Sequence, residues 1–495
     1  MPRHLEARSG VYLDSVTLMQ VSRDAAAHPG VQSALVAMAT ELNLELLGGL
    51  GFPTPDGVVP TDLIVALDGD DEAALAAALA TVEAALTERS RTDQPGFGDA
   101  PDPRTVASAL DRSGAALAMI STPGQYAFVD AMDALEAGRS VVVFSDNVPL
   151  EQEVRLKEVA GRLDLLVMGP DCGTAAVGGV GLGFANVVRP GPVGLVAASG
   201  TGAQQLMSLL DGAGVGISHC LGVGSRDLSE PVGGRSTLAA LDLLAADDPT
   251  EVIALIGKPP AREVAAAVGA HAATLDKPVL VHLQGAGGSD LTTTAAAVVE
   301  ALGRSWTAPR SWPAEVPRPG PYRHLRGLFS GGTLCEEAML IASPVVGPIR
   351  SNIPLDPEWA LGADLRADGH VMIDFGDDRL TQGRPHPMID WTLRTERIRV
   401  EAADPDCGVL LLDVVLGHGA HTDPAAELAP AITGAREKAA GDGREVAVVV
   451  SLVGTAGDPQ GLERQATALA AAGASVHLSN AEAARTAVSL VEGTR

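Results

Sequence analysis

The sequence predicts a multidomain α/β protein with a small α+β module at its N-terminal end. Three observations carry this. From Ala115 onward, short apolar runs alternate with stretches of helical period, the pattern of β–α units laid into parallel sheets. Aromatic residues are 3% of the chain, charged residues 20% and apolar residues 46%, which suits closely packed helix–sheet layers. Several apolar runs end in a turn of small residues from which a helical pattern departs, Ser199-Gly200-Thr201-Gly202 being the clearest. With 495 residues, about three or four domains are expected.

Residues 1–100 read as the small module. Residues 12–21, 32–40 and 62–67 read as strands, and residues 23–30 as a short helix or turn. Residues 70–89 form an alanine-rich helical pattern with acidic residues at its start, where the helix dipole favours them. RTDQPGFGDAPDP, residues 91–103, is a linker by composition.

Residues 104–188 bring the first clear alternation. Strands are expected at 115–120, 140–144 and 163–168, and helices at 124–137 and 150–162. The third strand runs into Gly169-Pro170-Asp171-Cys172-Gly173. Residues 189–300 continue with strand 193–198, the SGTG turn, helix 203–210 and an apolar run from Val215 that ends in Gly222-Val223-Gly224-Ser225. Helices at 237–246 and 260–273 and strands at 251–256 and 278–283 complete that domain. Residues 284–320 read as a crossing linker. Residues 321–495 repeat the scheme: strand 325–330, Ser330-Gly331-Gly332-Thr333, helix 334–342, strand 371–375 and a polar connector at 378–398. Strand 409–416 then ends in Gly417-His418-Gly419-Ala420-His421. Helix 424–440, strand 445–453, helix 462–472, strand 475–478 and helix 480–492 follow. Such units imply parallel sheets covered on both faces, with ligands at the carboxyl ends of the strands.

The formal net charge is −27 and the pI near 4.7. A basic footprint is missing, so nucleic acid and anionic membrane surfaces are disfavoured partners. Cys172, Cys220, Cys335 and Cys407 are scattered without CxxC spacing, which fits reduced thiols and no zinc site. No secretory h-region and no apolar run of membrane-spanning length is present. The expected location is the cytoplasm, and no metal is expected.

A strand–SGxT–helix turn presents backbone N–H groups and the positive helix end to an anion. Two such turns facing one cleft would hold a phosphoryl group even in an acidic protein. The candidate phosphate or acyl-phosphate residues are therefore Ser199, Gly200, Thr201, Gly202, Ser330, Gly331, Gly332 and Thr333, with Gly224 and Ser225 as further donors. Ordinary capped turns are the alternative. His418 and His421 are the candidate general acid–base pair, with a capped surface loop as the alternative. Arg384 and Arg394, in a cluster with His386, Asp390 and Arg397, are candidates to clamp a carboxylate, against a solvated, salt-bridged loop. Gly169, Pro170, Asp171 and Cys172 are expected to line the cleft, with an ordinary turn as the alternative. Cys172 lacks a supporting histidine or cation, so a structural role is expected for it.

At GPDCG and VGLVAASGTGAQQLMSLLDGAGVGISHCLGVGSRDL the chain resembles the succinyl-CoA synthetase α-subunit superfamily. Over HLRGLFSGGTLCEEAMLI, GRPHPMIDWTLR and LDVVLGHGAHTDPAAELAPAI it resembles the FdrA group in particular. The resemblance implies a Rossmann-like CoA-binding-type domain (104–188), a flavodoxin-like succinyl-CoA-synthetase-type domain (189–300) and a C-terminal flavodoxin-like domain (321–495). It also implies a phosphoryl group held by two helix starts, with Ser199, Gly200 and Thr201 at one of them. Two features depart from the superfamily. The βα series starts late, near Ala115. The stretch matching the phosphohistidine loop, LQGAGGSDLTT, contains no histidine beyond His282 on the preceding strand.

The FdrA resemblance implies a subunit of an oxamate carbamoyltransferase complex, converting oxalurate and phosphate into oxamate and carbamoyl phosphate in allantoin catabolism. Phosphate would be the co-substrate, no cofactor would be required, and other carbamoyltransferase subunits would be partners, with a homodimer as a further option. The alternatives are an ADP- or GDP-forming acyl-CoA synthetase, which would bind CoA, and a non-catalytic scaffold or regulatory subunit.

Overall fold

The computed structural model describes residues 2–11, 13, 15–92, 102–285, 288–314, 324–381 and 384–492. These divide into two compact units, Met1–Ala109 with Thr381–Pro385, and Leu110–Leu380 with His386–Arg495.

In the first unit, strand Leu63–Gly69 lies between Arg3–Arg8 and Val31–Met38, antiparallel to both. Its side chains alternate between two cores. Leu63, Val65 and Leu67 pack with Leu18, Val21 and Val82, while Ile64 and Ala66 pack with Leu47 and Phe52. Burial on both faces explains a continuous apolar run without polar alternation. Residues 15–26 form helix Ser15–Ala26, in place of the strand expected at 12–21. Leu18, Val21 and Ala25 are buried at helical spacing, and this period outweighs the β-branched content. Tyr12 and Asp14 lie outside the described residues, as does most of the linker expected at 91–103. Strand Arg3–Arg8 escaped the sequence reading because RHLEAR is an edge strand with no fully buried position.

The second unit contains three sheets. The first is parallel and short: Leu117–Ile120, Ser140–Val143 and Val167–Met168, with helices Gly124–Glu136 and Leu150–Arg162 between them. The second has the order Val279–Leu283, Val252–Gly257, Pro190–Ala198, Ile217–Gly222, Thr174–Val177 and Val180–Gly183. Its first four strands are parallel, and the last two form an antiparallel hairpin. That hairpin follows directly on GPDCG and belongs to this sheet. The third sheet has the order Ser311–Trp312, Ala474–His477, Ala447–Val453, Cys407–Val415, His324–Phe329, His370–Asp374 and Ile349–Ser351. All its strands are parallel except Ser311–Trp312.

Two expected connectors contain helices. Within 284–320 lies helix Leu291–Ala301, whose start is capped by Asp290 accepting the Thr293 N–H at 2.7 Å. Leu291, Ala295, Val298 and Val299 form its buried face. Within 378–398 begins helix Thr392–Ala403, which buries Arg394, Ile398, Glu401 and Ala402. A charged residue at an inward position hides such a helix from a hydrophobic pattern. Residues 286–287 and 315–323 of the first connector lie outside the described residues.

Helix Gly200–Gly212 joins the second and third sheets. It is buried along nearly its whole length, polar positions included. Gln204 donates to Asn186 Oδ1 at 3.2 Å, and Gln205 donates to the Leu478 carbonyl at 3.0 Å. Its start is thereby held against the third sheet. No helix among the described residues is long and apolar enough to cross a membrane.

Candidate active site

The two small-residue turns meet. Ser199 caps helix Gly200–Gly212, its Oγ accepting the Gly202 N–H at 3.0 Å. The same Oγ lies 2.5 Å from Thr333 Oγ1, in the first turn of helix Gly332–Val346. The approach is close enough to require glycine. A Cβ on Gly331 would lie 2.7–2.8 Å from Thr201, and one on Gly202 would lie 3.0 Å from Thr333 Cγ2. Two helix starts from two different sheets therefore face each other at the carboxyl ends of strands Pro190–Ala198 and His324–Phe329.

The two turns are not equivalent. Asp413, buried on strand Cys407–Val415, accepts the Ser330 N–H at 2.8 Å, the Gly331 N–H at 2.9 Å and the Ser330 hydroxyl at 3.0 Å. Ser330 and Gly331, expected to donate to a phosphoryl group, thus serve an internal carboxylate. Gly332 and Thr333 remain on the facing side. Arg394 is corrected in the same way. Its side chain is 1% exposed, and its Nη2 donates to Asp413 Oδ1 at 2.8 Å and to the Leu328 carbonyl at 2.8 Å. The Trp391 ring covers one guanidinium face, 4.3 Å from its centroid. Arg394 is a buried counter-charge, out of reach of a carboxylate arriving from solvent. Arg384 is exposed and belongs to the first unit. Arg397 pairs with Glu401 at 2.6 Å.

Three further groups surround the facing helix starts. Asp374, at the end of strand His370–Asp374, accepts the Gly376 N–H at 2.9 Å. A Cβ on Gly332 would lie 2.7 Å from Asp374 Oδ2 and 3.7 Å from Lys258 Nζ. Lys258 directly follows strand Val252–Gly257 and is half-buried. Burial pushes the Asp374 carboxyl up to about 7, against the Gly376 N–H and the Lys258 charge, with Asp413 and Asp377 adding to the rise. Gln284 is 5% exposed, and its Nε2 donates to the Thr333 carbonyl at 2.9 Å, while its Oε1 has no partner among the described residues. Gln284 is the second residue of the stretch LQGAGGSDLTT, so that stretch leaves its strand beside the second turn. His282, on the preceding strand, is buried, with Nδ1 3.0 Å from Thr294 Oγ1.

The Gly169–Cys172 loop closes one side. Asp171 accepts the Ser225 hydroxyl at 2.7 Å, and its N–H donates to the Ser145 carbonyl at 2.9 Å. Gly224 has φ +88°, and a Cβ there would lie 2.3 Å from the Pro170 carbonyl oxygen. Asp171 is an exposed residue, yet its carboxyl is withdrawn from water enough to be raised to about 6, and Asp378 and Asp146 push the same way. Ser225 is thus engaged with Asp171. Beneath this loop, Lys157 bridges Glu153 and Asp227, each at 2.8 Å and all three fully buried, and locks the first sheet's helix to the second sheet.

His418 and His421 sit on a loop that packs against Gly183, Phe184, Ala185 and Asn186. The 417–421 loop docks by its backbone: His418 and Ala185 form an antiparallel bridge, and a Cβ on Gly417 would lie 2.5 Å from the Ala185 carbonyl oxygen. The His418 side chain is exposed. His421 Nδ1 accepts the Asp423 N–H at 3.0 Å. A Cβ on Gly376 would lie 2.6 Å from the Ser330 carbonyl oxygen and 3.0 Å from His386 Nε2, which places His386 beside the second turn. Burial and the Arg394 charge lower it to about 4, so it is neutral near pH 7.

Cys172 and the other three cysteines are buried, and burial pushes each thiol up. The native chain is therefore expected to show no fast-reacting thiol with an aromatic disulfide reagent, and four after denaturation. A rapid native thiol would contradict this packing.

Parallel β–α layers whose helix starts converge at strand ends define an α/β protein with its candidate site at the carboxyl ends of the strands. The CoA-ligase family profile matches residues 328–490, and the profile described as AllF, heavy metal-associated domain, matches residues 1–103. The chain is 39% identical over 488 residues to the uncharacterized protein YahF of Escherichia coli K12, covering 94% of each chain. It belongs to the FdrA family, within the succinyl-CoA synthetase α-subunit superfamily. The α subunit of the ADP-forming succinate–CoA ligase of Methanothermobacter thermautotrophicus is 28% identical over 34% of this chain and 57% of its own length. The malate–CoA ligase α subunit of Methylorubrum extorquens is 30% identical over 31% and 53%. Among solved structures, a Pyrococcus horikoshii protein covers 81% of this chain and 89% of its own, with 15% identity and a TM-score of 0.30.

The heavy-metal description of the N-terminal profile does not fit the residues present. The first cysteine of the chain is Cys172. Among the described residues no three His, Cys, Asp or Glu side chains lie together as a ligand set.

Sequence reading missed Lys258, Asp374, Gln284 and Asp413. The signal available was position: Lys258 and Asp374 each stand at the carboxyl end of an expected strand, where ligands bind.

Proposed function

We propose that this chain handles an acyl phosphate, holding its phosphoryl group between the two facing helix starts while the acyl group passes between phosphate and an acceptor. The supporting observation is the meeting of Ser199 with Thr333 at 2.5 Å, with Gly202 and Gly331 permitting the approach. Ser199 to Gly202 supply one helix start, Gly332 and Thr333 the other. Fixed N–H donors of this kind stabilise charge that develops on a transferred group, and they do so without reorganisation.

A thiol acceptor, giving an acid–thiol ligase, is the reading supported by the names of the succinate–CoA and malate–CoA ligase relatives. The second reading is phosphorolysis of oxalurate to oxamate and carbamoyl phosphate, with this chain as one subunit of the complex. The observation in its favour is that residues 283–293 contain no histidine, and phosphorolysis needs no phosphohistidine. Two parallel assays on the chain with its co-purifying partners separate them: CoA-dependent nucleotide turnover, and carbamoyl phosphate formation from oxalurate and phosphate. Turnover in the first supports the ligase, and turnover in the second without CoA supports the transferase. Inactivity in both, with no phosphate bound at high concentration, refutes acyl-phosphate handling and leaves a scaffold.

A further inference from the structure

The chain has four lysines, Lys157, Lys258, Lys277 and Lys438. Three are engaged. Lys157 is buried between Glu153 and Asp227, Lys277 donates to the Leu244 carbonyl at 3.0 Å, and Lys438 pairs with Asp442 at 2.6 Å. Lys258 alone has no ion pair within 4.0 Å and no hydrogen bond from its Nζ among the described residues. Yet it stands among carboxyl groups: Asp374, Asp171, Glu336 and Asp378 all feel its charge. A half-buried ammonium beside several carboxylates, and bonded to none, is held for something else. The position beside Gly332 points it at the second helix start. The Oε1 of the buried Gln284, unpartnered among the described residues, lies at the same turn.

We propose that Lys258 is the catalytic cation that binds the phosphoryl oxygens, and that Asp374 carries the proton between phosphate and the leaving atom. This rests on the acyl-phosphate reading and assigns its charge and proton groups. In the phosphorolytic direction, an oxygen of hydrogen phosphate forms a bond to the acyl carbon. The bond from that carbon to the leaving nitrogen or sulfur breaks with its electron pair. Asp374 gives its carboxyl proton to the leaving atom and recovers one from the phosphate. Atoms and charge balance without a further reactant. The Lys258 charge offsets the repulsion that a dianion meets from Asp374 and Asp171.

Calorimetric titration of the full chain with sulfate tests both roles, because sulfate keeps one charge state around neutrality. Groups acting on Asp374 are Lys258, Asp413 and Asp377, Arg394 behind Asp413 and Cys335 on the facing helix. His386 beside Gly376 stays neutral. As pH rises, Asp171 ionises first, near pH 6, and Asp374 after it, near pH 7; each negative charge repels the anion, so sulfate affinity of the native chain falls in two successive steps. Lys258→Met is expected to weaken sulfate binding at least ~10-fold with an unchanged melting temperature, and Lys258→Arg to stay within ~3-fold of native. Asp374→Asn is expected to bind sulfate, to lose the upper step of the pH dependence while keeping the lower one, and to lose turnover in whichever assay is positive. Native affinity in Lys258→Met overturns the assignment of the cation. An undiminished pH dependence in Asp374→Asn overturns that of the proton carrier. A native chain that binds neither sulfate nor inorganic phosphate refutes the acyl-phosphate reading itself, and this proposal with it.

Discussion

Asp413→Ala is expected to destabilise the second unit by about 3–5 kcal/mol, the cost of breaking a buried ion pair by removing one partner. Three consequences add in the same direction. Arg394, 1% exposed, keeps its charge without a counter-ion. The N–H groups of Ser330 and Gly331 and the Ser330 hydroxyl lose their acceptor together. Each is buried, so water does not replace it at low cost. Arg394→Met in the same background should recover part of the loss, because it removes the stranded charge and leaves an apolar side chain against Trp391. The unfolding midpoints of the two variants and the double variant measure this. A single variant within ~1 kcal/mol of native would show that the pair does not anchor the turn.

Gly332→Val and Gly200→Val are expected to lower turnover at least ~100-fold while the chain stays folded. A Cβ on Gly332 would lie 2.7 Å from Asp374 Oδ2, and one on Gly200 would lie 3.3 Å from Thr174 Oγ1. The first branch displaces Asp374 from beside the second helix start, and the second presses the first helix start against Thr174 of strand Thr174–Val177. Neither glycine has a positive φ, so the backbone accepts a side chain, and both are only half-buried. Activity in the responsive assay, read beside the melting temperature, decides the matter. Native turnover in both variants would remove the phosphoryl group from this cleft.

Together the two predictions separate support from chemistry. Asp413 and Arg394 hold the second turn from below, whereas Gly332, Thr333 and Asp374 face the cleft. Sequence reading placed Ser330 and Gly331 in the chemistry because they stand in a small-residue turn at a strand end, and Arg394 because it stands in a charged cluster within the polar connector 378–398. Their partner, Asp413, lies 82 to 83 residues from the turn in sequence and 19 residues from Arg394, and no local pattern ties them together.

What the sequence determined by itself was the alternation of strand and helix and the turn at 199–202. Both follow from local rules: a period of 3.6 against a buried apolar run, and glycine where a helix must start tightly after a strand. Helix Asn480–Glu492 and helix Leu150–Arg162 matched their expected bounds because their periodicity is strong. Helix Leu291–Ala301 was hidden by threonine and alanine, and helix Thr392–Ala403 by the inward Arg394. Tertiary structure alone decided that the second turn meets the first, that its outer donors are consumed by Asp413, and that Lys258 stands unpaired beside Asp374. Those outcomes depend on which strand ends the three sheets bring to one place. Burial and charge pairing there are set by residues far apart in the chain, and no local period records them.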